Sequence, residues 1–190
     1  MRKVIVSEFM TLDGVIEDPG GAENFKYGGW SRAHSSDEVG KFKYDELFSS
    51  DALLLGRVTY EGFAKAWPTM EGTGDFGERM NSIPKFVVST TLDKAEWNNS
   101  HLIKANVAEA VAKLKQQPGQ DILTFGSGKL IESLLEHDLV DQYNLLVYPL
   151  VLGSGQHLFE EGSNTKLKLV ETKPFNSGVV ALIYQPERKE

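Results

Sequence analysis

Small residues end an apolar run at Gly126-Ser127-Gly128, and an amphipathic segment follows them directly. A strand that turns on small residues straight into a helix leaves unpaired backbone N–H groups at the helix start. Those groups, together with the helix dipole, attract anions. Because a nucleotide phosphate is the usual anion at such a turn in an α/β domain, the sequence first predicts a nucleotide cofactor.

Two further segments carry similar chemistry. After a continuous apolar run, Gly56 would let a ligand approach the backbone, Arg57 offers a planar fork suited to phosphate, and Thr59 adds a hydroxyl. Ser89 and Thr90 end another apolar run, where open α/β sheets bind ligands. Each segment alone could be an ordinary turn or a helix cap. Three such segments in one chain indicate a crevice.

Apolar patterning predicts the elements that must hold these turns. Strands are predicted at 3–9, 52–56, 86–89, 102–103, 122–125, 142–152, 167–171 and 179–185. Helices are predicted at 37–48, 59–67, 107–114 and 129–136, and a glycine-rich loop at 71–77. Alternating strands and helices followed by consecutive strands predict one α/β domain over 1–190. Its sheet should be mostly parallel, with helices on both faces and antiparallel C-terminal strands.

Composition excludes several classes of function. The 190 residues carry a net charge of −7, which argues against nucleic-acid binding over a broad surface, and they contain no cysteine, which excludes thiolate metal sites. The histidines form no close pair, so no metal site is predicted. The first apolar run is too short for a signal peptide, and none approaches the roughly 20 residues of a membrane span. We therefore expect a cytoplasmic protein without a membrane partner.

Five motifs occur in an order that resembles the dihydrofolate reductase-like superfamily. They are Thr11–Ile16, Leu55–Tyr60, Ser89–Leu92, Gly126–Leu130 and Leu152–Phe159. Within it, the chain is similar to the group named for the reductase (C-terminal) domain of the bifunctional riboflavin deaminase-reductase. The resemblance implies a three-layer sandwich around a mixed sheet of about eight strands. It also implies NADPH as the hydride donor for a small-molecule substrate.

The resemblance further implies which positions bind the cofactor. The two adenosine-side loops match Gly56, Arg57, Thr59 and Tyr60, then Ser89, Thr90 and Leu92. The pyrophosphate turn matches Phe125, Gly126, Ser127, Gly128, Lys129 and Leu130. The loop beside the nicotinamide and the substrate matches Leu12, Asp13, Gly14, Val15 and Ile16.

One departure bears on the substrate. Phe125 stands where the riboflavin reductases often carry a glutamate that serves the precursor's ring, and Ser127 replaces the second of their paired glycines. Two substrate classes therefore stay open: a pterin-like molecule, as in dihydrofolate reductase, and a ribosylaminopyrimidine such as 5-amino-6-(5-phosphoribosylamino)uracil.

Hydride addition to a C=N or C=O group also needs a proton at the neighbouring heteroatom. Asp13 and Glu38 are the predicted catalytic acids; Glu38 approximates the acid that folate enzymes place on the helix after the first loop. Asp45 on the same helix is the rival. Asp13 could equally be a turn residue and Glu38 a surface charge. Trp30 and Tyr148 could stack on a planar substrate ring, although core packing is the commoner use of such aromatics.

Two alternatives to a reductase remain open. One is a non-catalytic module that binds a nucleotide or a pterin, and the other is a structural dimer with vestigial cofactor loops. A homodimer is predicted in any case, because Tyr143 to Leu152 is long, apolar and rich in strand formers. A sheet edge of that kind usually needs a partner.

Overall fold

Eight strands form a single mixed sheet in the computed structural model, which describes residues 1–187; the last three residues of the predicted domain lie outside this range. The strands are β1 (Val4–Thr11), β2 (Ser50–Gly56), β3 (Lys85–Val88), β4 (Ser100–Ile103), β5 (Asp121–Thr124), β6 (Gln142–Tyr148), β7 (Leu167–Pro174) and β8 (Val180–Pro186). Their order is β4-β3-β2-β5-β1-β6-β8-β7; β8 runs antiparallel to both β6 and β7, and the other neighbouring pairs are parallel. The predicted α/β fold is confirmed.

Helices cover both faces of this sheet. They are α1 (Asp37–Phe48), α2 (Arg57–Ala66), α3 (Gly74–Ser82), α4 (Val107–Gln116) and α5 (Gly128–Glu136). Side chains alternate across β2, as the pleat of a strand requires. Leu54 packs with residues of α4 and α5, whereas Leu53 and Leu55 pack with residues of α1, α2 and α3. Burial on both faces explains why this strand is a continuous apolar run. No helix among residues 1–187 is long and apolar enough to span a bilayer.

The structure corrects two predicted elements. Residues 71–77 were expected to be loop, but α3 begins at Gly74, because Met80 and the partly buried Phe76 face the core at helical spacing. The strand predicted at 142–152 ends at Tyr148, since Pro149 has no N–H to donate to the ladder.

The predicted sheet edge at Tyr143 to Leu152 is also wrong. β6 lies inside the sheet, between β1 and β8, so the run from Tyr143 to Leu152 forms no sheet edge. Its apolar character reflects burial on both faces of a central strand. The edges of the sheet described here are β4 and β7. A homodimer therefore stays a prediction without this support.

Because β5 is shorter than β1, the sheet has a notch at the end of β5. β1 pairs with β5 only from Val4 to Val6, but it pairs with β6 from Ile5 to Thr11. The second half of β1 therefore runs past the end of β5, beside the turn that leads into α5. The carboxyl ends of parallel neighbours lie at the same edge, so the turn after β2 arrives there too.

Candidate functional site

The turns after β2 and β5 pack directly against each other. The Gly56 N–H donates to the carbonyl oxygen of Gly126 at 3.1 Å, and a Cβ at Gly56 would overlap the Ser127 hydroxyl. Gly56 is the N-cap of α2 and Ser127 is the N-cap of α5, and the Gly126–Ser127 peptide bond is cis. Two helix N-termini, each with a positive dipole end, therefore begin at one place on the sheet edge.

Gly126 is the position at which side chains converge on this pair of turns. Its φ is +107°, and a Cβ added there would lie 3.1 Å from Thr59 Oγ1 and 3.2 Å from Glu8 Oε1. Only glycine fits this conformation and this space without strain. A hydroxyl from α2 and a carboxyl from β1 therefore meet at the turn into α5.

Glu8 is a buried acid with one carboxyl oxygen that accepts no hydrogen bond from the described residues. The residue is 7% exposed, and Oε1 has no hydrogen-bond partner among the described residues. Burial raises the pKa of Glu8 to about 8; Lys43 opposes this rise, while the carboxylates of Glu23 and Glu46 add to it. The carboxyl group is therefore mostly protonated at neutral pH, and it can donate a hydrogen bond.

The other face of β1 carries a buried polar network on α1. Glu46 accepts hydrogen bonds from the Ser7 hydroxyl at 2.8 Å and from Asn144 Nδ2 at 2.7 Å. Lys43 Nζ lies 2.8 Å from Glu46 Oε2 and also donates to Ser7. The same ammonium group stands 4.3 Å from the centre of the Phe125 ring. This side of the notch therefore combines a paired charge with an aromatic face.

Residues 2–181 match the profile of the RibD C-terminal domain. The chain belongs to the RibD C-terminal domain family. It is 32% identical over 187 residues to the uncharacterized protein YyaP of Bacillus subtilis (strain 168), covering 96% of this chain and 94% of YyaP.

Two solved structures share the fold of this RibD C-terminal domain. A candidate riboflavin biosynthesis protein from Shewanella sp. PV-4 is 22% identical with a TM-score of 0.77, covering 98% of this chain and 99% of that one. Dihydrofolate reductase from Enterococcus faecalis, complexed with NADP(H) and RAB-propyl, is 14% identical with a TM-score of 0.64, covering 98% and 97%. The predicted family and the dihydrofolate reductase-like, reductase-type fold are thereby confirmed.

The RibD C-terminal domain places the first predicted cofactor loop at the paired turns. Arg57 is exposed at the start of α2, with Nη1 2.7 Å from the Glu61 carboxylate. Thr59 lies beside Gly126, as described above. Tyr60 instead points into the core, where its hydroxyl accepts a hydrogen bond from the Trp97 N–H at 3.0 Å.

The remaining predicted cofactor residues divide between surface and core. Ser89 Oγ accepts from the Leu92 N–H at 3.0 Å, which is the capping role weighed from the sequence, while Thr90 is exposed beside it. Within α5, Lys129 is exposed and Leu130 packs in the core. In the N-terminal loop, Leu12 is exposed, whereas Val15 and Ile16 are buried.

The predicted acids do not meet at the notch. Asp13 accepts hydrogen bonds from the Thr11 hydroxyl at 2.6 Å and the Gly153 N–H at 2.8 Å. The Thr11 hydrogen bond, helped by backbone N–H groups, lowers the pKa of Asp13, which makes it a poor proton donor. Glu38 is exposed and accepts from the Asn176 N–H, and Asp45 pairs with Lys41 on the solvent side of α1.

Trp30 and Tyr148 are core residues in this structure. Their rings lie 5.3 Å apart at 82°, and Tyr148 is 1% exposed. Trp30 Nε1 donates to the carbonyl oxygen of Glu17. Burial raises the pKa of the Tyr148 phenol, which keeps it neutral. Core packing is therefore the role that the contacts of both rings show.

Sequence reasoning missed three charged side chains near this turn. They are Glu8 beside Gly126, Lys43 beside the Phe125 ring, and Glu46, which pairs with Lys43. A signal existed for Glu8, because an acid interrupts the otherwise apolar and hydroxyl-bearing run from Val4 to Phe9. Glu46 gave no comparable signal, because α1 carries four acids and only the packing of the helix against β1 selects the buried one.

Proposed function

We propose that the protein is an NADPH-dependent reductase that transfers hydride to a pterin-like or ribosylaminopyrimidine substrate. The packing of Gly56 against the Gly126–Ser127 turn carries this proposal, because it sets two helix N-termini side by side at one sheet edge. That arrangement suits the two phosphates of a dinucleotide. Membership of the RibD C-terminal domain family and the fold shared with a reductase complexed with NADP(H) support it.

The residues present fit the cofactor. Gly56 lets the two turns pack closely, so that the N-termini of α2 and α5 begin side by side, and Thr59 adds a hydroxyl beside Gly126. Arg57, on the solvent side of α2, would hold the adenosine-side phosphate. NADPH, when bound, supplies the hydride, and the chain supplies position and shields the reaction from water.

The substrate would lie on the α1 side of the notch. The Phe125 ring and the apolar body of Phe9 offer a face for a planar heterocycle, and Lys43 Nζ lies within 5.5 Å of both ring centres. Because Lys43 is held by Glu46, it presents a fixed donor to a ring carbonyl or nitrogen. Asp13, held ionised by its own hydrogen bonds, would shape the neighbouring loop rather than supply the proton.

Titration with NADPH and NADH, followed by nicotinamide fluorescence, tests the cofactor. We expect micromolar NADPH binding and weaker NADH binding. Arg57→Ala should weaken the affinity for NADPH by about tenfold or more, since a charge-assisted hydrogen bond contributes roughly 1.5–3 kcal/mol. Its effect on NADH should be smaller, because the 2′-phosphate is absent there.

Glu61→Gln is the matched control for this experiment. It removes the partner of Arg57 and keeps the cation, so NADPH affinity should hold or rise. Unchanged affinity in Arg57→Ala would remove that loop from the cofactor site. Absence of binding by either nucleotide would overturn the proposed reductase and leave the reading as a non-catalytic binding module.

A further inference from the structure

No hydrogen bond to Oε1 from residues 1–187 explains why Glu8 is buried. Its neighbours on β1 are apolar or hydrogen-bonded, whereas Oε1 has no hydrogen-bond partner in the described part of the chain and lies beside Gly126, as Thr59 Oγ1 does. Burying a carboxyl group without a hydrogen bond costs free energy. An unpaired buried group of this kind calls for an explanation, and a ligand at the turn supplies one.

We propose that Glu8 is a proton-dependent gate of the anion site at the Gly126–Gly128 turn. In its neutral form the carboxyl group donates a hydrogen bond, together with the Thr59 hydroxyl, to a phosphate oxygen of the ligand. In its ionised form it repels that phosphate and competes with it for the N-termini of α2 and α5. The ligand class is a pyrophosphate ester, and the inference rests on the proposed function, in which that ester is NADPH.

The charged groups around Glu8 favour the neutral form. Glu46 and Glu23 both disfavour its ionisation, and desolvation is the largest cause of the raised pKa. Lys43 is the opposing charge. Its ammonium group is already paired with Glu46 at 2.8 Å and donates to Ser7, so its charge is shared with another carboxylate. A ligand phosphate that binds at the turn would add negative charge beside Glu8 and would raise the pKa of Glu8 further.

This gate predicts a pH dependence of nucleotide affinity. The Kd for NADPH should be nearly constant below the pKa of Glu8, which is about 8. Above it, affinity should fall by up to about tenfold per pH unit, because the neutral fraction falls at that rate. Between pH 7 and pH 9 we therefore expect wild-type affinity to weaken by about tenfold. The ligand's own 2′-phosphate titrates near pH 6 and is outside this window.

Glu8→Gln provides the decisive variant. Glutamine keeps the shape of the neutral acid and can donate a hydrogen bond, but it cannot ionise. Between pH 7 and pH 9 its NADPH affinity should change less than about twofold, against the loss of about tenfold in the wild type. Lys85, whose pKa burial lowers to about 8, titrates in the same range in every variant. The difference between variants therefore isolates Glu8.

Glu109→Gln is the control, because it makes the same change at an exposed carboxylate on α4. It should retain the wild-type pH profile. Parallel profiles for wild type and Glu8→Gln would overturn the gate while leaving the proposed cofactor in place. If NADPH binds neither protein at any pH, the proposed function and the gate both fail.

A second measurement does not depend on the variant's folding. Carbon NMR of wild-type protein labelled at the glutamate carboxyl groups should show one group that titrates near pH 8. Saturation with NADPH should move this midpoint to higher pH, because the anion binds the protonated form more tightly. A midpoint that falls on NADPH binding, or no carboxyl titrating above pH 6, would contradict the gate.

Discussion

Ser7 and Glu8 are consecutive residues of β1, and their side chains lie on opposite faces of the sheet. The buried acids on these two faces differ in their hydrogen bonding. On the Ser7 side, Glu46 is held by Lys43, Ser7 and Asn144, so each carboxylate oxygen has a partner. On the Glu8 side, Oε1 has none among the described residues. One strand thus separates a completed polar network from an incomplete one.

The difference shows how the molecule treats two buried acids. Pairing holds the charge of Glu46 in place, which fixes the position of Lys43 beneath the Phe125 ring. Burial raises the pKa of Glu8 and keeps it mostly neutral at neutral pH, and Oε1 has no hydrogen-bond partner within residues 1–187. In the proposed site, Glu46 positions Lys43, and the protonation of Glu8 changes with the bound anion.

The largest expected effect is the pH dependence of stability, which tests the contrast between Glu46 and Glu8. The folded pKa of Glu8, about 8, lies above its unfolded value of 4.5, so the folded state binds more protons between these pH values. The free energy of unfolding should therefore fall as pH rises from about 4.5 to 8. The upper bound is about 5 kcal/mol, at about 1.4 kcal/mol per pKa unit. Urea denaturation across this range measures it.

Glu8→Gln should lose most of that decline, because glutamine has no proton to exchange. Its stability should exceed that of the wild type most clearly at pH 8. If both proteins lose stability in parallel, the native state carries an ionised Glu8, and the contrast between the two faces of β1 disappears.

The next largest effect concerns the completed network. Glu46→Gln leaves Lys43 buried without a counter-charge and should destabilise the protein by about 3 kcal/mol. Asp45→Asn, one residue earlier on α1, breaks the exposed pair with Lys41 and should cost below about 1 kcal/mol. Equal costs in urea denaturation at pH 7 would show that the Glu46 network is not the stabilising element described here.

A smaller effect is expected at the turn between the two regions. Gly126→Ala places a Cβ against Thr59 and Glu8 at a φ of +107°, and it should destabilise the protein by about 2 kcal/mol. It should also abolish NADPH binding. Gly153→Ala has a φ of +71° with nothing nearby, so it isolates the backbone cost, about 1 kcal/mol. If both variants bind NADPH as the wild type does, the turn is not part of the cofactor site.

Much of the fold was predictable because local patterns and burial agree. The run Leu53–Leu55 identified a strand covered on both faces, and apolar patterning identified α1 at 37–48, where the Ser36 hydroxyl accepts from the Val39 N–H. The helix α3 was missed because Gly74 and Gly77 carry loop propensity that packing overrides. Sheet order is a tertiary property, so nothing local showed that β6 is an inner strand.

The candidate site was predictable only where backbone turns define it. Gly56 and Gly126 were found because each glycine directly follows an apolar run and precedes a helical pattern, and several such turns occur in one chain. The acids were not found, since which carboxylate is buried depends on how α1 packs on β1. Asp45 and Glu46 are neighbours in sequence, yet one faces solvent and the other lies in the network.

The strand order has a consequence for how the chain is made. β1 pairs with β5 and β6, so Val4 lies beside Ile122, and Thr11 lies beside Tyr148. A ribosome that adds roughly 5–20 residues per second needs on the order of ten seconds to produce that interval. During this time β1, the strand that bears Glu8, has neither neighbour. The nascent chain therefore carries an unpaired apolar strand until most of the protein has been synthesised. Chaperones would matter most during this interval.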